Sequence, residues 1–460
     1  MTTKIRRMGA VEGKLKIKPD RGMGLYVHIP FCVARCYYCD FVSTAGLGRA
    51  WQVRYREAIL KEWALYRERW VELKAGQESR DEWNMHRESG AEWALHRGSQ
   101  TERKVYPNSQ KDWKMHEKGQ NELKVRQASQ ADVFPDVGAG WKSVYFGGGT
   151  PTYLDEDILE ELMRKLVGAT LCQEFTVEAN PGTLTESKLG MLRRTGCSRL
   201  SIGAQSVDNK RLAWLGRRHT AEGFRQAWDM ARASGFANMN LDLMYGLPGQ
   251  SLEHWRDTLA EALTYQPEHI SLYQLNIEEG TPLARCSASG EECVADEDIC
   301  CKQYEQAHEI LEEAGYRHYE ISNYAKPGFE SHHNTLYWRN GCYLGLGAGA
   351  ASHLPGLRYT NNADLEAYCS DMEKGVSPIA EREEISVSLA LKDEMMLAFR
   401  LKEGIRKKPF QERWGFALDQ KYGSALEKHR VAGLLEEDEE HVFPTLQGWL
   451  QYNSWVQDFL

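Results

Sequence analysis

Residues 143 to 273 alternate between short apolar stretches and longer stretches of helical character, and this alternation constrains the fold more than any other feature. The short stretches read as strands, and they are Ser143 to Phe146, Phe175 to Glu178, Arg199 to Gly203, Met239 to Leu243 and His269 to Tyr273. The helical stretches between them are 155 to 168, 185 to 195, 220 to 234 and 251 to 265. Strands that alternate with helices predict βαβ units, and therefore a parallel barrel or part of one.

A further strand precedes this region, because apolar and polar residues alternate from Leu25 to Ile29 before Pro30 ends the run. The loop after it contains three cysteines in a C-x3-C-x2-C spacing, namely Cys32, Cys36 and Cys39. Three such thiolates can bind one four-iron cube and leave one iron open to a small molecule. Loops at the carboxyl ends of barrel strands are also where active sites collect. The spacing alone leaves a zinc knuckle or three reduced, buried thiols open.

Composition limits the class of protein. A chain of 460 residues with 42% hydrophobic content can bury a sizeable core and form two or three domains. The formal net charge of -9 argues against a broad basic face for nucleic acid. No apolar run approaches the roughly 18 residues of a membrane span, so we expect no transmembrane segment and a cytoplasmic protein. Eleven cysteines in so long a chain do not form the pattern of a disulfide framework.

Further segments follow the cysteine loop in a fixed order: GGGTPTYL, TVEANPGTL, RLSIGAQSVD, LGRRH, NLDLMYGLPGQ and HISLYQLNIEEGTPL. With that loop, they make the chain resemble the radical S-adenosylmethionine (SAM) superfamily. Within it, the chain is similar to the branch of oxygen-independent coproporphyrinogen III oxidase and the HemW-type heme chaperones. The resemblance covers most of residues 21 to 455 outside one insertion. It implies an α/β fold with an incomplete parallel (β/α)6 barrel, a [4Fe-4S] cluster on the three cysteines, and SAM chelating the open iron.

The resemblance also implies a set of SAM contacts, which are Tyr26, Tyr38, Gly148, Gly149, Thr150, Glu178, Gln205, Arg217 and Asp242. The Gly148 to Thr150 turn would hold the amino-acid end of SAM, and the two tyrosines would pack near the cluster and the adenine. From the residues alone, glycines at 147 to 149 permit close backbone approach and leave amide donors free for a polar ligand group. Strand-end side chains such as Glu178 could equally meet solvent. Because Arg218 is adjacent to Arg217, the motif could be aligned one residue later, with Arg218 in place of Arg217.

A second motif, HNTLYW, lies downstream and resembles the H-N-x-x-Y-W pattern of the HemW-type proteins. The resemblance implies that His333 is a heme ligand, and its neighbours in the motif are Asn334, Tyr337 and Trp338. His332 and His353 remain alternatives. Imidazole and aromatic groups suit a flat macrocycle, although the residues alone are also compatible with a packed segment whose histidines are merely hydrogen-bonded.

Two functional classes compete, and one position discriminates between them. The loop of the decarboxylating oxidase continues as C-x3-C-x2-C-x-C, whereas Cys39 is followed here by Asp40 and Phe41, as in the chaperone branch. We therefore predict a heme chaperone that binds heme, a [4Fe-4S] cluster and SAM and transfers heme to acceptor proteins. The alternative is an oxygen-independent coproporphyrinogen III oxidase of porphyrin biosynthesis, and a radical SAM enzyme with another substrate also stays open. Whether the chain is an enzyme, a dimer or associated with a membrane surface is left open.

The predicted domains are a basic tail at 1–16, the barrel at 17–316, a connecting region at 317–380, and a helix-rich, winged-helix-like domain at 381–460. Within the barrel region, residues from about 62 to 130 carry a degenerate ten-residue repeat. Ten residues turn a helix by about 1000°, so successive repeats drift by about 80° and cannot form one apolar stripe. This disfavours a single long amphipathic helix and leaves a β-rich array or a mobile polar insertion.

Overall fold

The computed structural model of the chain describes residues 22–85, 140–168, 172–290 and 293–460. The predicted basic tail at 1–16 lies outside the described residues, and so does the repeat insertion beyond Met85. Contacts divide the chain into two units, Met1–Leu65 with Val133–Leu460, and Tyr66–Asp132. All of the described strands lie in the first unit, and one helix extends from it into the second.

The strands are β1 (Met23–Ile29), β2 (Phe31–Cys32), β3 (Thr44–Ala45), β4 (Trp141–Gly148), β5 (Glu174–Ala179), β6 (Arg199–Gln205), β7 (Met239–Tyr245), β8 (His269–Gln274), β9 (Arg317–Glu320), β10 (Asn323–Ala325), β11 (Tyr343–Leu346), β12 (Ala351–Leu354), β13 (Leu357–Asn361), β14 (Ile379–Glu384), β15 (Ile405–Arg406), β16 (Leu435–Glu437) and β17 (His441–Pro444). The helices are α1 (Arg49–Met85), α2 (Glu156–Leu166), α3 (Glu186–Arg194), α4 (Asn209–Trp214), α5 (Ala221–Ala233), α6 (Leu252–Thr264), α7 (Pro282–Ala288), α8 (Glu297–Glu313), α9 (His332–Trp338), α10 (Leu365–Glu373), α11 (Val387–Ala398), α12 (Lys407–Trp414), α13 (Leu418–Val431), α14 (Leu446–Leu450) and α15 (Tyr452–Trp455). None of these helices is long and apolar enough to span a membrane.

A single sheet of twelve strands organises the first unit, in the order β14-β13-β12-β11-β1-β4-β5-β6-β7-β8-β10-β9. The six strands β1, β4, β5, β6, β7 and β8 pair in parallel, each followed in sequence by at least one helix. Side chains on one strand face pack under the helices, and those on the other face point into the barrel. The predicted incomplete parallel (β/α)6 barrel is confirmed.

The region predicted as a separate connection, 317–380, instead extends the barrel sheet at both of its ends. Strands β10 and β9 continue the sheet beyond β8 with antiparallel pairing. At the other end, β11 pairs in parallel with β1, and β12, β13 and β14 follow in antiparallel order. An incomplete barrel has two open edges, and these strands satisfy their backbone hydrogen bonds.

Helix α1 runs without a break from Arg49 to Met85, so the alternative of a β-rich array is wrong for residues 62–85. The expectation against a single long amphipathic helix over the whole repeat stays a prediction, because the repeat beyond Met85 lies outside the described residues. The drift of the repeat removes a continuous apolar stripe, but it does not remove the helical propensity of the many Glu, Lys, Arg, Leu and Ala residues. The helix is also anchored in the first unit by Glu62, which is buried. Its carboxylate accepts hydrogen bonds from Tyr368 Oη (2.6 Å), Asn361 Nδ2 (2.7 Å) and the Gly347 amide (2.9 Å).

The C-terminal domain is helix-rich, as predicted. Helices α11 to α15 surround a small antiparallel sheet in the order β15-β17-β16. Its apolar core includes Met395, Phe399, Phe410, Leu426 and Trp455. The segment from Leu434 to Pro444 forms the β16 and β17 pair.

Candidate functional site

A cavity of about 510 Å³ opens at the carboxyl ends of the barrel strands and extends into the barrel interior. This volume falls within the range of about 300–1,000 Å³ that is usual for small-molecule sites. The three cysteines line it together with Tyr38, Gly148, Gly149, Thr150, Glu178, Gln205, Arg217 and Asp242. Of the predicted SAM contacts, Tyr26 is not in the lining, and its hydroxyl donates to His28 Nδ1 at 2.9 Å. Residues chosen from separate sequence motifs therefore meet around one cavity.

The cysteine loop is held against the glycine turn that follows β4. The Gly149 amide donates to Ile29 O (2.9 Å) and the Thr150 amide donates to Phe31 O (2.8 Å). A Cβ at position 149 would lie 2.8 Å from the Phe31 carbonyl oxygen and 3.0 Å from Cys32 Sγ. Glycine is therefore required at this position for the two loops to approach so closely.

These contacts correct the expectation that the amides of the glycine turn are free for a ligand. The Gly149 and Thr150 amides are used by the cysteine loop, and the Gly148 amide donates to Glu178 Oε2 at 3.2 Å. Sequence alone could not reveal this, because the acceptors come from other strands. The turn holds the cysteine loop and Glu178 in place, and it offers a ligand fewer donors than its glycines suggest.

The three cysteines that line the cavity are candidates for holding a metal centre. Among the described residues, no three Cys, His, Asp or Glu side chains stand close enough together to hold a single metal ion. A tetrahedral zinc site needs such convergence, whereas each thiolate of an iron–sulfur cube binds a different iron. Burial raises the pKa of Cys32 and of Cys39. The donor set thus fits a cluster, whose irons would hold these sulfurs as thiolates.

Arg217 contacts one of these sulfurs directly. Its Nη1 donates to Cys36 Sγ at 3.5 Å, and its Nη2 donates to the Gly203 carbonyl oxygen at 2.8 Å. The neighbouring Arg218 also lines the cavity, but its side chain is exposed. The structure therefore places Arg217 where its charge would stabilise cysteine thiolates, and its role as a SAM contact stays a prediction.

Two carboxylates face the cavity from neighbouring parts of the barrel wall. Glu178 Oε1 accepts from Tyr145 Oη at 2.6 Å, and burial raises the pKa of Glu178 to about 7. Asp242 accepts from Asn240 Nδ2 (2.7 Å) and Ser201 Oγ (3.3 Å), and burial also raises the pKa of Asp242. Both groups would be better stabilised as anions by a positively charged ligand.

The HNTLYW motif lies at the opposite end of the barrel, on helix α9. His333 is 1% exposed, and both of its ring nitrogens are hydrogen-bonded, Nδ1 to Ser143 Oγ and Nε2 to Tyr337 Oη, each at 2.8 Å. Glu174 caps the helix by accepting from the backbone amides of His332 (3.0 Å) and His333 (3.1 Å). Since Ser143 and Glu174 lie near the beginnings of β4 and β5, α9 packs against the amino end of the barrel.

The other residues of this segment differ in their access to a ligand. His332 is exposed, whereas His353 is half-buried and its Nδ1 is hydrogen-bonded to the Gly341 carbonyl oxygen at 3.0 Å. Trp338 packs under Arg400, whose Cζ lies 4.8 Å from the ring centroid. Asn334 lines the inner end of the cavity, which therefore extends from the cysteine loop down to α9.

Sequence reasoning missed several cavity residues deeper in the barrel, among them Tyr145, Arg199, Ser201, Asn240, Ser271 and Tyr273. A signal for some of them exists, because side chains two residues apart on a strand share a face. Counting back in steps of two from Gly203 reaches Ser201 and then Arg199. The same step from Asp242 reaches Asn240.

Comparison with known proteins gives matches over most of the chain. The radical SAM superfamily model matches residues 113–262, and the HemN C-terminal domain model matches residues 389–451. The heme chaperone HemW of Bacillus subtilis (strain 168) is 36% identical over 323 residues, covering 69% of this chain and 85% of that protein. HemW of Escherichia coli (strain K12) is 32% identical over 331 residues, covering 71% of this chain and 69% of that protein. The solved structure of coproporphyrinogen III oxidase (HemN) from Escherichia coli shares the fold, with a TM-score of 0.70, 18% identity and coverage of 97% and 91%.

Proposed function

Since this chain belongs to the HemW family of heme chaperones within the radical SAM superfamily, we propose that it binds heme and passes it to acceptor proteins. The residues that follow Cys39 at the end of the cysteine loop favour the chaperone over the oxidase. Asp40 and Phe41 follow Cys39 here, where the oxidase loop has another cysteine two positions on. The Phe41 side chain is 62% exposed at the cavity, so a large apolar surface replaces that thiol.

We also propose that Cys32, Cys36 and Cys39 hold a [4Fe-4S] cluster and that SAM binds beside it. When bound, the cluster supplies an open iron for the amino and carboxylate groups of SAM. Arg217 balances the charge of the cluster thiolates. Glu178 and Asp242 supply anionic acceptors for the cationic parts of SAM, and Tyr38 supplies an aromatic wall.

This assignment predicts that SAM affinity depends on pH through Glu178. The Glu178 pKa of about 7 lies above the ordinary value, so the carboxyl is protonated below pH 7 and becomes an anion above it. The affinity for cationic SAM should therefore rise as pH increases through 7. Glu178→Gln should lower the affinity at pH 8 by about tenfold and flatten this rise.

The measurement is isothermal titration of the cluster-loaded protein with SAM at pH 6 and pH 8. Glu186→Gln is the matched control, since Glu186 is an exposed glutamate on α3 away from the cavity. An unchanged pH profile in Glu178→Gln would remove Glu178 from the SAM site.

For heme, we propose His333 as the ligand, on the resemblance of its motif. Burial lowers the pKa of His333 to about 3, so the imidazole is neutral at physiological pH, which is the form that binds iron. Its Nε2 is hydrogen-bonded to Tyr337 Oη, and this bond must be exchanged for the iron.

Heme titration tests the function and the ligand together. We expect a Soret shift with the unaltered protein, a weaker one with His333→Ala, and little change with the control His332→Ala, whose imidazole is exposed. If His332→Ala abolishes the shift and His333→Ala does not, the ligand assignment moves by one residue. If the protein converts coproporphyrinogen III to protoporphyrinogen IX with SAM turnover, the oxidase alternative replaces the chaperone.

A further inference from the structure

The inner part of the cavity contains a buried cation that the proposed SAM and cluster contacts do not use. Arg199, on β6, is 2% exposed and lines the cavity. Within the described parts of the chain, its Nε is buried and has no hydrogen-bond partner. A guanidinium always carries its charge, so burying it without a partner is costly.

The polar groups around Arg199 use their hydrogen bonds among themselves. Asn240 donates to Ser201 Oγ at 2.7 Å, and its Oδ1 accepts from Ser271 Oγ at 3.1 Å. His269 Nδ1 lies 2.6 Å from the same Asn240 oxygen. These contacts join the neutral groups to one another, and among the described residues none of them is a partner of Arg199 Nε.

The two carboxylates that act on Arg199 electrostatically are also engaged elsewhere. Glu174 accepts from Ser331 Oγ and from two backbone amides of α9. Asp242 accepts from Asn240 and Ser201. Their negative charges lower the cost of burying the charged Arg199 side chain. They do not, however, accept hydrogen bonds from its guanidinium N–H groups. They also disfavour a doubly charged anion such as phosphate beside it.

We propose that Arg199, together with Asn334 across the inner end of the cavity, binds a carboxylate group of a ligand that enters the barrel. A guanidinium matches the two oxygens of a carboxylate, and the Asn334 amide adds a neutral donor. This inference rests on the proposed function and deepens it: the carboxylate is a propionate side chain of heme. Only that side chain, and not the whole macrocycle, needs to reach Arg199.

The test compares two ligands that differ only in the carboxylates, heme and its dimethyl ester, by Soret titration of the full-length protein. The unaltered protein should bind heme at least about tenfold more tightly than the ester. Arg199→Gln should bring the two affinities together, whereas the control Arg218→Gln should keep the difference. The Arg199→Gln substitution and the esterification of heme form a thermodynamic cycle, which isolates the interaction energy between Arg199 and the heme carboxylates.

A second variant covers the case in which Arg199→Gln does not fold. Asn334→Asp places a carboxylate against the propionate and should weaken heme binding while leaving ester binding unchanged. If Arg199→Gln retains the preference for heme over ester, or loses SAM affinity alone, the carboxylate site is overturned while the heme function stands. If the unaltered protein binds no heme, the proposed function falls and the inference falls with it.

Discussion

Replacing Cys36 by serine should leave the anaerobically reconstituted protein without its four-iron cluster. Serine is a poor ligand for iron at neutral pH, since its hydroxyl is far harder to deprotonate than a thiol, and only two protein thiolates would remain. Cys36 is also the sulfur that Arg217 contacts, at 3.5 Å, so the substitution removes this contact as well. Iron and acid-labile sulfide should fall from about four of each per chain to near zero.

The matched control is Cys301→Ser, which changes a half-buried cysteine on helix α8 outside the cavity lining. That variant should keep the full iron and sulfide content and the charge-transfer absorption of the cluster. Full cluster content in Cys36→Ser would contradict the ligand assignment. Stoichiometric zinc in the unaltered, oxygen-free protein would contradict the cluster itself.

The sequence predicted the parts of this site that depend on local pattern. Strand periodicity located β4 to β8, and the polar residues that end those strands had to meet at one edge because parallel strands share their carboxyl ends. Glu178 and Gln205, at the ends of β5 and β6, line one cavity for this reason. The cysteine loop joins them because it follows β1, the strand that pairs with β4.

The parts that escaped prediction depend on contacts between distant segments. The partners of the Gly149 and Thr150 amides lie more than a hundred residues earlier, and those of His333 include Ser143. Nothing in the HNTLYW motif indicates that α9 packs against the amino end of the barrel. The position of α9 depends on Glu174, which accepts a hydrogen bond from the His333 amide. The strand pattern in the sequence gives Glu174 no role beyond that of the first residue of a strand.

Because the position of α9 depends on Glu174, we expect replacement of this residue to lower the stability of the protein strongly. Glu174→Ala should lower the free energy of unfolding by about 3–5 kcal/mol, as expected when one partner of a buried charged network is removed. Glu174 is 2% exposed and accepts from Ser331 Oγ and from the amides of His332 and His333. Alanine would leave these three donors without their acceptor and would remove a negative charge near Arg199.

Urea denaturation followed by tryptophan fluorescence measures this loss, and Glu186→Ala provides its control. Both glutamates lie beside a helix N-terminus, but Glu186 is exposed, so its replacement should change the free energy of unfolding by less than about 0.5 kcal/mol. Glu174→Gln keeps one acceptor oxygen and should fall between the two. If Glu174→Ala were as stable as Glu186→Ala, α9 would not depend on this carboxylate for its place against the barrel. The neutral, hydrogen-bonded state of His333 would then need another cause, because its burial depends on that same helix.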